Sequence, residues 1–300
     1  MGPHKRLSIL SALICRAHKC RRPFQQPGPA VKTALKRLLS DAVLASLRVR
    51  PIERLVAFLA WQRRRHLRRR AETRFADAGN YPDAVAAGPF AGMRLPPKST
   101  YLDARFEKTF GAYEPELFPV LERLGADPGR YRSLFNLGAA DGYFTVGLAR
   151  LFPSARILAF EALEGKRAAL AETARLNGVE DRLELRGLCL GEDLAALALD
   201  LPALAVVDID GGEETLLDPA AYPVWSSCDL LVETHDAFVP GITETLKARF
   251  AATHEIEEIP MRGVDFSTVP LLRGLPMAEV DALVGSERPD LQRWLWMRKK

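Results

Sequence analysis

Two short stretches in the second half of the chain bring together residue types that can move a proton or hold a cation. AVVDIDGGEE, Ala205–Glu214, is an apolar run ending in Asp208, Asp210, Gly211, Gly212 and Glu213. LLVETHD, Leu230–Asp236, likewise ends in Glu233, His235 and Asp236. Open α/β sheets bind ligands in the crevice outside the carboxyl ends of their strands, which is where these acids would fall. Asp208 and His235 are therefore the candidate proton-handling pair, with Asp210, Glu213 and Glu233 as an acidic wall, and the same groups have the chemistry of a divalent-cation site. Each residue taken singly has a plainer use. Asp210 or Glu213 can cap a following helix, and Asp236 can open a turn.

A second kind of chemistry is written in LFNLGAADGYFTVGLA, Leu134–Ala149. An apolar strand breaks at Gly138, Ala139, Ala140, Asp141 and Gly142 and passes directly into an amphipathic helix. Small residues there let a ligand approach the main chain, and the helix adds its positive N-terminus. A dinucleotide fingerprint would need glycines at 138, 140 and 143, but the chain has Gly138, Ala140 and Tyr143, so a pyrophosphate fits poorly. A ligand with an amino-acid end and a nucleoside end fits better. Glu161 closes the strand RILAFE nineteen positions after Gly142, the place from which a carboxylate can accept hydrogen bonds from both ribose hydroxyls. The base would then lie near residues 188–192.

These residues need a scaffold that brings several strand ends to one edge. Periodicity and breakers predict a helix over Tyr113–Gly125, then strands at 133–137, 156–161, 182–190, 204–208, 228–234, 254–260 and 292–297. Helices are expected between them at 143–151, 166–176, 194–199 and 242–251, with another starting at 213–217. Strands alternating with helices at short spacing argue for a mostly parallel sheet covered on both faces. Residues 79–100, rich in Gly, Pro and Ala, read as a connection with little regular structure.

Charge divides the chain. Residues 1–75 hold 19 Lys/Arg against 3 Asp/Glu, a balance of +16, and the remainder holds 23 against 35, a balance of −12. The front therefore reads as a basic helical extension over 1–78 and the rear, 79–300, as the domain that does chemistry. Ile52, Leu55, Val56 and Leu59 form a helical stripe that runs into the arginine run Arg63–Arg70. Such a segment suits an anionic membrane surface, an acidic partner domain or, less well, nucleic acid. The apolar run Leu7–Cys15 is too short to span a membrane. Four scattered cysteines point to a reducing, cytoplasmic setting, and Cys15, His18 and Cys20 lack the second ligand pair of a zinc site.

Over about 88–260 the chain resembles class I methyltransferases of the FkbM-like group, through GPFAGMRL, GAYEPEL, NLGAADGYF, AFEA, DIDGGEE and LVETHD. The resemblance implies a Rossmann-like seven-stranded domain that holds S-adenosylmethionine on Asn136, Gly138, Ala140, Asp141, Gly142 and Glu161. It also implies O-methylation of a sugar or another small hydroxylated acceptor. The group's usual Asp-x-Glu-Gly-x-Glu pattern reads Asp208, Asp210, Gly211 and Glu213 here, and Asn136 stands where many class I enzymes carry an acid. Two other functions compete: a nicotinamide-dependent oxidoreductase, and a non-enzymatic nucleic-acid or membrane-binding module led by the arginine run.

Overall fold

The computed structural model describes residues 82–97, 100, 102, 104–262 and 292–300, with isolated positions at 63, 66, 67, 69, 70, 73, 276 and 280. The chain divides into two compact units, residues 1–62 and 63–300, and the described residues all belong to the second. The Ile52–Leu59 stripe and the Cys15–Cys20 group lie outside the described residues; of the arginine run, Arg63, His66, Leu67, Arg69 and Arg70 are helical.

Helix α1 (Arg105–Phe110) and a short 3-10 turn (Pro115–Leu117) lead into α2 (Phe118–Gly125). There follow β1 (Ser133–Leu137), α3 (Tyr143–Leu151), β2 (Arg156–Phe160), α4 (Glu164–Leu176), β3 (Leu183–Arg186), α5 (Gly191–Ala195) and β4 (Ala203–Val207). The chain continues through α6 (Glu213–Leu216), β5 (Asp229–His235), α7 (Ile242–Phe250), β6 (His254–Pro260) and β7 (Gln292–Lys299). The seven strands form one sheet in the order β3-β2-β1-β4-β5-β7-β6, and β7 runs antiparallel to both neighbours while the other pairings are parallel. This is the mostly parallel, doubly covered sheet that the strand–helix alternation predicts. No helix among the described residues is long and apolar enough to cross a membrane.

Every residue of β1, β4 and β5 is buried, as central strands covered on both faces require. Side-chain alternation deals β1 to two cores. Leu134 joins Leu121, Leu124, Val146 and Phe152 on one face, while Phe135 and Leu137 join Trp225, Leu246 and Phe250 on the other. Phe135 stacks against Trp225 at 5.5 Å between ring centroids, and burying each such ring contributes roughly 1.5–3 kcal/mol.

Three expectations are corrected, and one of them is the helix over 194–199, which instead runs over Gly191–Ala195. The helix expected from Tyr113 starts only at Phe118, because Glu114 takes a left-handed conformation (φ 53°) and Pro115 opens a 3-10 turn. The strand expected over 182–190 ends at Arg186, and the chain then bends through Gly187 to Cys189 before α5. α1, which sits just beyond the Gly/Pro-rich connection, was not anticipated, nor were the 3-10 turns at Glu180–Arg182 and Pro223–Ser227.

Candidate active site

The parallel registers set the carboxyl ends of β1, β2, β4 and β5 side by side, so the residues that leave these strands meet at one edge. At the end of β1 the chain turns through Gly138 (φ 84°), Ala140 (φ 47°) and Gly142 (φ 89°) into α3. A side chain at position 138 would collide with the main-chain carbonyl of Asp208. The glycine thus lets the first turn touch the end of β4. A Cβ at 142 would lie 2.9 Å from Leu170 on α4, so that glycine serves helix packing.

Glu161 is buried immediately after β2 and ties these turns together. Its Oε2 accepts a hydrogen bond from the Ala140 amide at 2.8 Å and its Oε1 one from the Leu163 amide at 2.7 Å. Each carboxylate oxygen keeps acceptor capacity beyond one bond. The adjoining cavity, about 340 Å³, is lined by Glu161, Gly138, Ala140 and Asp208 together with Phe160, Leu163, Leu188 and Cys189. Leu163 and Leu188 are exposed, which is unusual for leucines flanking a concavity. A carboxylate beside apolar walls in a space of this size suits a nucleoside.

The two other members of the first-turn set face inward. Asn136 donates through Nδ2 to Thr145 Oγ1 at 2.8 Å, and its buried Oδ1 has no hydrogen-bond partner among the described residues. The Asp141 carboxylate meets Lys108 Nζ of α1 at 2.5 Å, with both side chains buried, and the ammonium also lies over the Tyr113 ring at 4.8 Å. Asp141 is therefore held by a cation that nothing in the sequence pattern had paired with it.

Beyond the cavity the predicted acidic residues converge on one imidazole. His235, at the end of β5, is buried, and its Nδ1 lies 2.6 Å from Glu213 Oε1 at the start of α6. Its Nε2 faces Asp210 Oδ1 at 3.5 Å, Asp208 Oδ1 at 3.6 Å and Glu233 Oε2 at 3.7 Å. Ligand atoms of Asp208, Glu233 and His235 all lie within 4.8 Å of one another. Burial works against a charged ring, but the Glu213 hydrogen bond and the charges of Glu213, Asp208 and Asp210 outweigh it, so the pKa of His235 is raised. Burial, followed by repulsion from Glu114, pushes Asp208 up to about 6. Asp208 is nonetheless the partly open member, with 31 % of its side chain accessible.

Neither Asp210 nor Glu213 caps α6 through its side chain. Asp210 takes a left-handed conformation (φ 48°) with its carboxylate exposed, and Glu213 is turned wholly inward onto His235. Glu114 joins the site without having been singled out. It is buried, accepts a 2.5 Å hydrogen bond from Trp294 Nε1 of β7, and acts on both Asp208 and Tyr143 through its charge.

The strand order with a single antiparallel member, the tight turn after β1 and the acid after β2 define a Rossmann-like methyltransferase fold. No family model matches the chain, and no curated protein matches it. Among solved structures, the chain is similar to the O-methyltransferase TomG from Streptomyces achromogenes in complex with SAM. That match has 18 % identity and a TM-score of 0.40 over 53 % of this chain and 81 % of that one. It is similar also to the O-methyltransferase from Bacillus cereus in complex with SAH, at 16 % identity and TM-score 0.39 over 66 % and 85 %. M. jannaschii TYW2 in complex with AdoMet matches at 12 % identity and TM-score 0.40 over 62 % and 76 %. Likeness this distant carries no argument about the reaction, which rests on the site.

Proposed function

We propose that the protein is an S-adenosylmethionine-dependent methyltransferase of the FkbM-like group that methylates a hydroxyl of a small acceptor such as a sugar. The observation that carries this reading is Glu161, a buried carboxylate bonded to the first-turn amide of Ala140 and lining a cavity that runs from the end of β2 to Asp208. In it, Glu161 accepts from the ribose hydroxyls, Leu163 and Leu188 flank the base, and the turn at Gly138, Ala140, Asp141 and Gly142 carries the amino-acid portion. The orphaned Oδ1 of Asn136 is an acceptor for the ammonium.

When bound, the cofactor supplies an electrophilic methyl group, and the chain has to align an oxygen with it and take the oxygen's proton. His235 is suited to the proton. With Nδ1–H donated to Glu213, its Nε2 carries the free lone pair, and the imidazolium formed on accepting a proton lies among Asp208, Asp210 and Glu233. Asp208, partly open, is placed to orient the acceptor.

A second reading of this cluster is favoured by one specific arrangement. A histidine whose far nitrogen is held by a carboxylate, with two further carboxylates near its other nitrogen, is also the pattern of a metal ligand and its supporting shell. Asp208, Glu233 and His235 would hold a divalent cation that lowers the pKa of the acceptor hydroxyl. Turnover that is abolished by EDTA and restored by a divalent ion selects the metal; turnover indifferent to EDTA but about a hundredfold lower in His235→Ala selects the base.

Residues 52–70 form, in this account, a peripheral contact with anionic membrane, tested by sedimentation with anionic vesicles at low salt. The whole reading is tested by calorimetric titration with S-adenosylhomocysteine, NAD and an oligonucleotide. Binding of the first alone supports it. Preference for NAD would return the protein to the oxidoreductases, and binding of the oligonucleotide alone would make it a nucleic-acid module.

A further inference from the structure

Among the described residues five large apolar side chains are exposed, and Phe238 is the aromatic one, with 60 % of its surface in solvent. Leaving such a ring in water forgoes the stabilisation that burial would give, yet the turn that carries it is firmly built. The amides of Phe238 and Val239 both donate to the His235 carbonyl, at 2.9 and 3.0 Å. Asp236 accepts through Oδ1 from the Gly241 amide at 3.0 Å and through Oδ2 from the Thr243 hydroxyl, which in turn meets the Thr234 hydroxyl at 2.7 Å. The turn is therefore tied to β5 and α7 at both ends.

The ring's position is as specific as its support. Phe238 stacks on the His235 imidazole at 5.8 Å between centroids and 27° between planes. Across from it the chain carries Gly211, where a Cβ would come within 3.3 Å of the Phe238 Cβ. Glycine at 211 lets the chain there pass close to the Phe238 Cβ. Phe238 does not line the nucleoside cavity, which is bounded by Leu163 and Leu188. Its stacking on His235 sets it at the acidic cluster, where, on the reading above, the group to be methylated has to lie.

We infer that Phe238 is the acceptor-binding platform of the site and that the acceptor carries its hydroxyl on a ring, whose face packs on Phe238 while the hydroxyl reaches Nε2 of His235. This rests on the methyltransferase reading above. A phenyl face accepts the C–H face of a pyranose and the π face of an arene alike, so the shared chemistry is a hydroxylated ring with an apolar face, and the two sources are separated by experiment.

The test uses full-length protein saturated with S-adenosylhomocysteine and saturation-transfer NMR with three probes: catechol, methyl α-D-glucopyranoside and 1-propanol. At least one ring probe is expected to bind, with affinity about tenfold lower in Phe238→Ala and retained in Phe238→Tyr; 1-propanol should not distinguish the variants. Affinity for S-adenosylhomocysteine should be equal in all three proteins. Equal ring-probe binding in wild type and Phe238→Ala would overturn the inference, as would failure of both ring probes with the wild type. Failure of S-adenosylhomocysteine itself to bind would instead remove the methyltransferase reading beneath it.

Discussion

Glu213 Oε1 lies 2.6 Å from His235 Nδ1, with the glutamate wholly buried and its other oxygen without a hydrogen-bond partner among the described residues. The pair joins the start of α6 to the end of β5 and decides which imidazole nitrogen faces the crevice. It also raises the pKa of the ring. A base must be neutral to act, so turnover should rise with pH through a value above that of ordinary histidine. Glu213→Gln removes the charge, and the rising limb should move to lower pH while maximal turnover falls by about 10²- to 10⁴-fold through loss of the tautomer. A pH–rate profile of the two proteins checks both; an unmoved limb would separate His235 from the rate.

Glu161→Gln should distinguish ligand binding from scaffold. The amide keeps one oxygen for a backbone donor but places an NH₂ where the carboxylate met the other, among the amides of Ala140 and Leu163. Losing charge-assisted bonds costs about 1.5–3 kcal/mol, so affinity for S-adenosylhomocysteine should fall by about tenfold or more. Circular dichroism should report an intact fold. Undiminished affinity would take Glu161 out of the cofactor site.

Lys108→Met should test what Asp141 does. Removing one partner of a buried ion pair leaves an uncompensated charge, at a cost of about 3–5 kcal/mol. The double variant with Asp141→Asn should recover much of that loss in denaturant unfolding. Equal stability of Lys108→Met and wild type would mean that Asp141 finds its counter-charge elsewhere.

How far the sequence carries can be argued from these residues. The turn at 138–142, Glu161 and the acids after β4 and β5 are legible because each is a local pattern at a strand end. Lys108, Glu114 and Phe238 are not. Lys108 meets Asp141 across 33 positions, and Trp294 reaches Glu114 across 180. Such pairs exist only once the sheet has brought its parts together. The late start of α2 had a visible cause in Pro115 and Pro119, whereas the inward turn of Glu213 was hidden, since an acid at a helix start reads equally well as a cap.

His254 gives a stability test away from the crevice. It is buried, its Nε2 donating to the Cys228 carbonyl and its Nδ1 accepting from the Thr253 hydroxyl, each at 2.8 Å. Burial lowers its pKa, against the opposing pull of the Cys228 carbonyl and Asp229. The unfolded chain, with a histidine pKa of about 6.5, then binds the proton first. The stabilising contribution is thus present above about pH 6.5 and is lost as pH falls below it. Urea unfolding at pH 7.5 and 5.5 should show a larger acid loss in wild type than in His254→Gln; equal losses would contradict the assignment.

On the proposed function, the cavity beside Glu161 holds the methyl donor and presents it to His235. A crystal structure with S-adenosylhomocysteine tests this most directly. The expected structure has the ribose hydroxyls on the Glu161 carboxylate, the adenine between Leu163 and Leu188, and the sulfur facing the side of Asp208 and His235. A well-ordered ligand bound elsewhere, or one bound in this cavity with its sulfur turned away from Asp208, would contradict it.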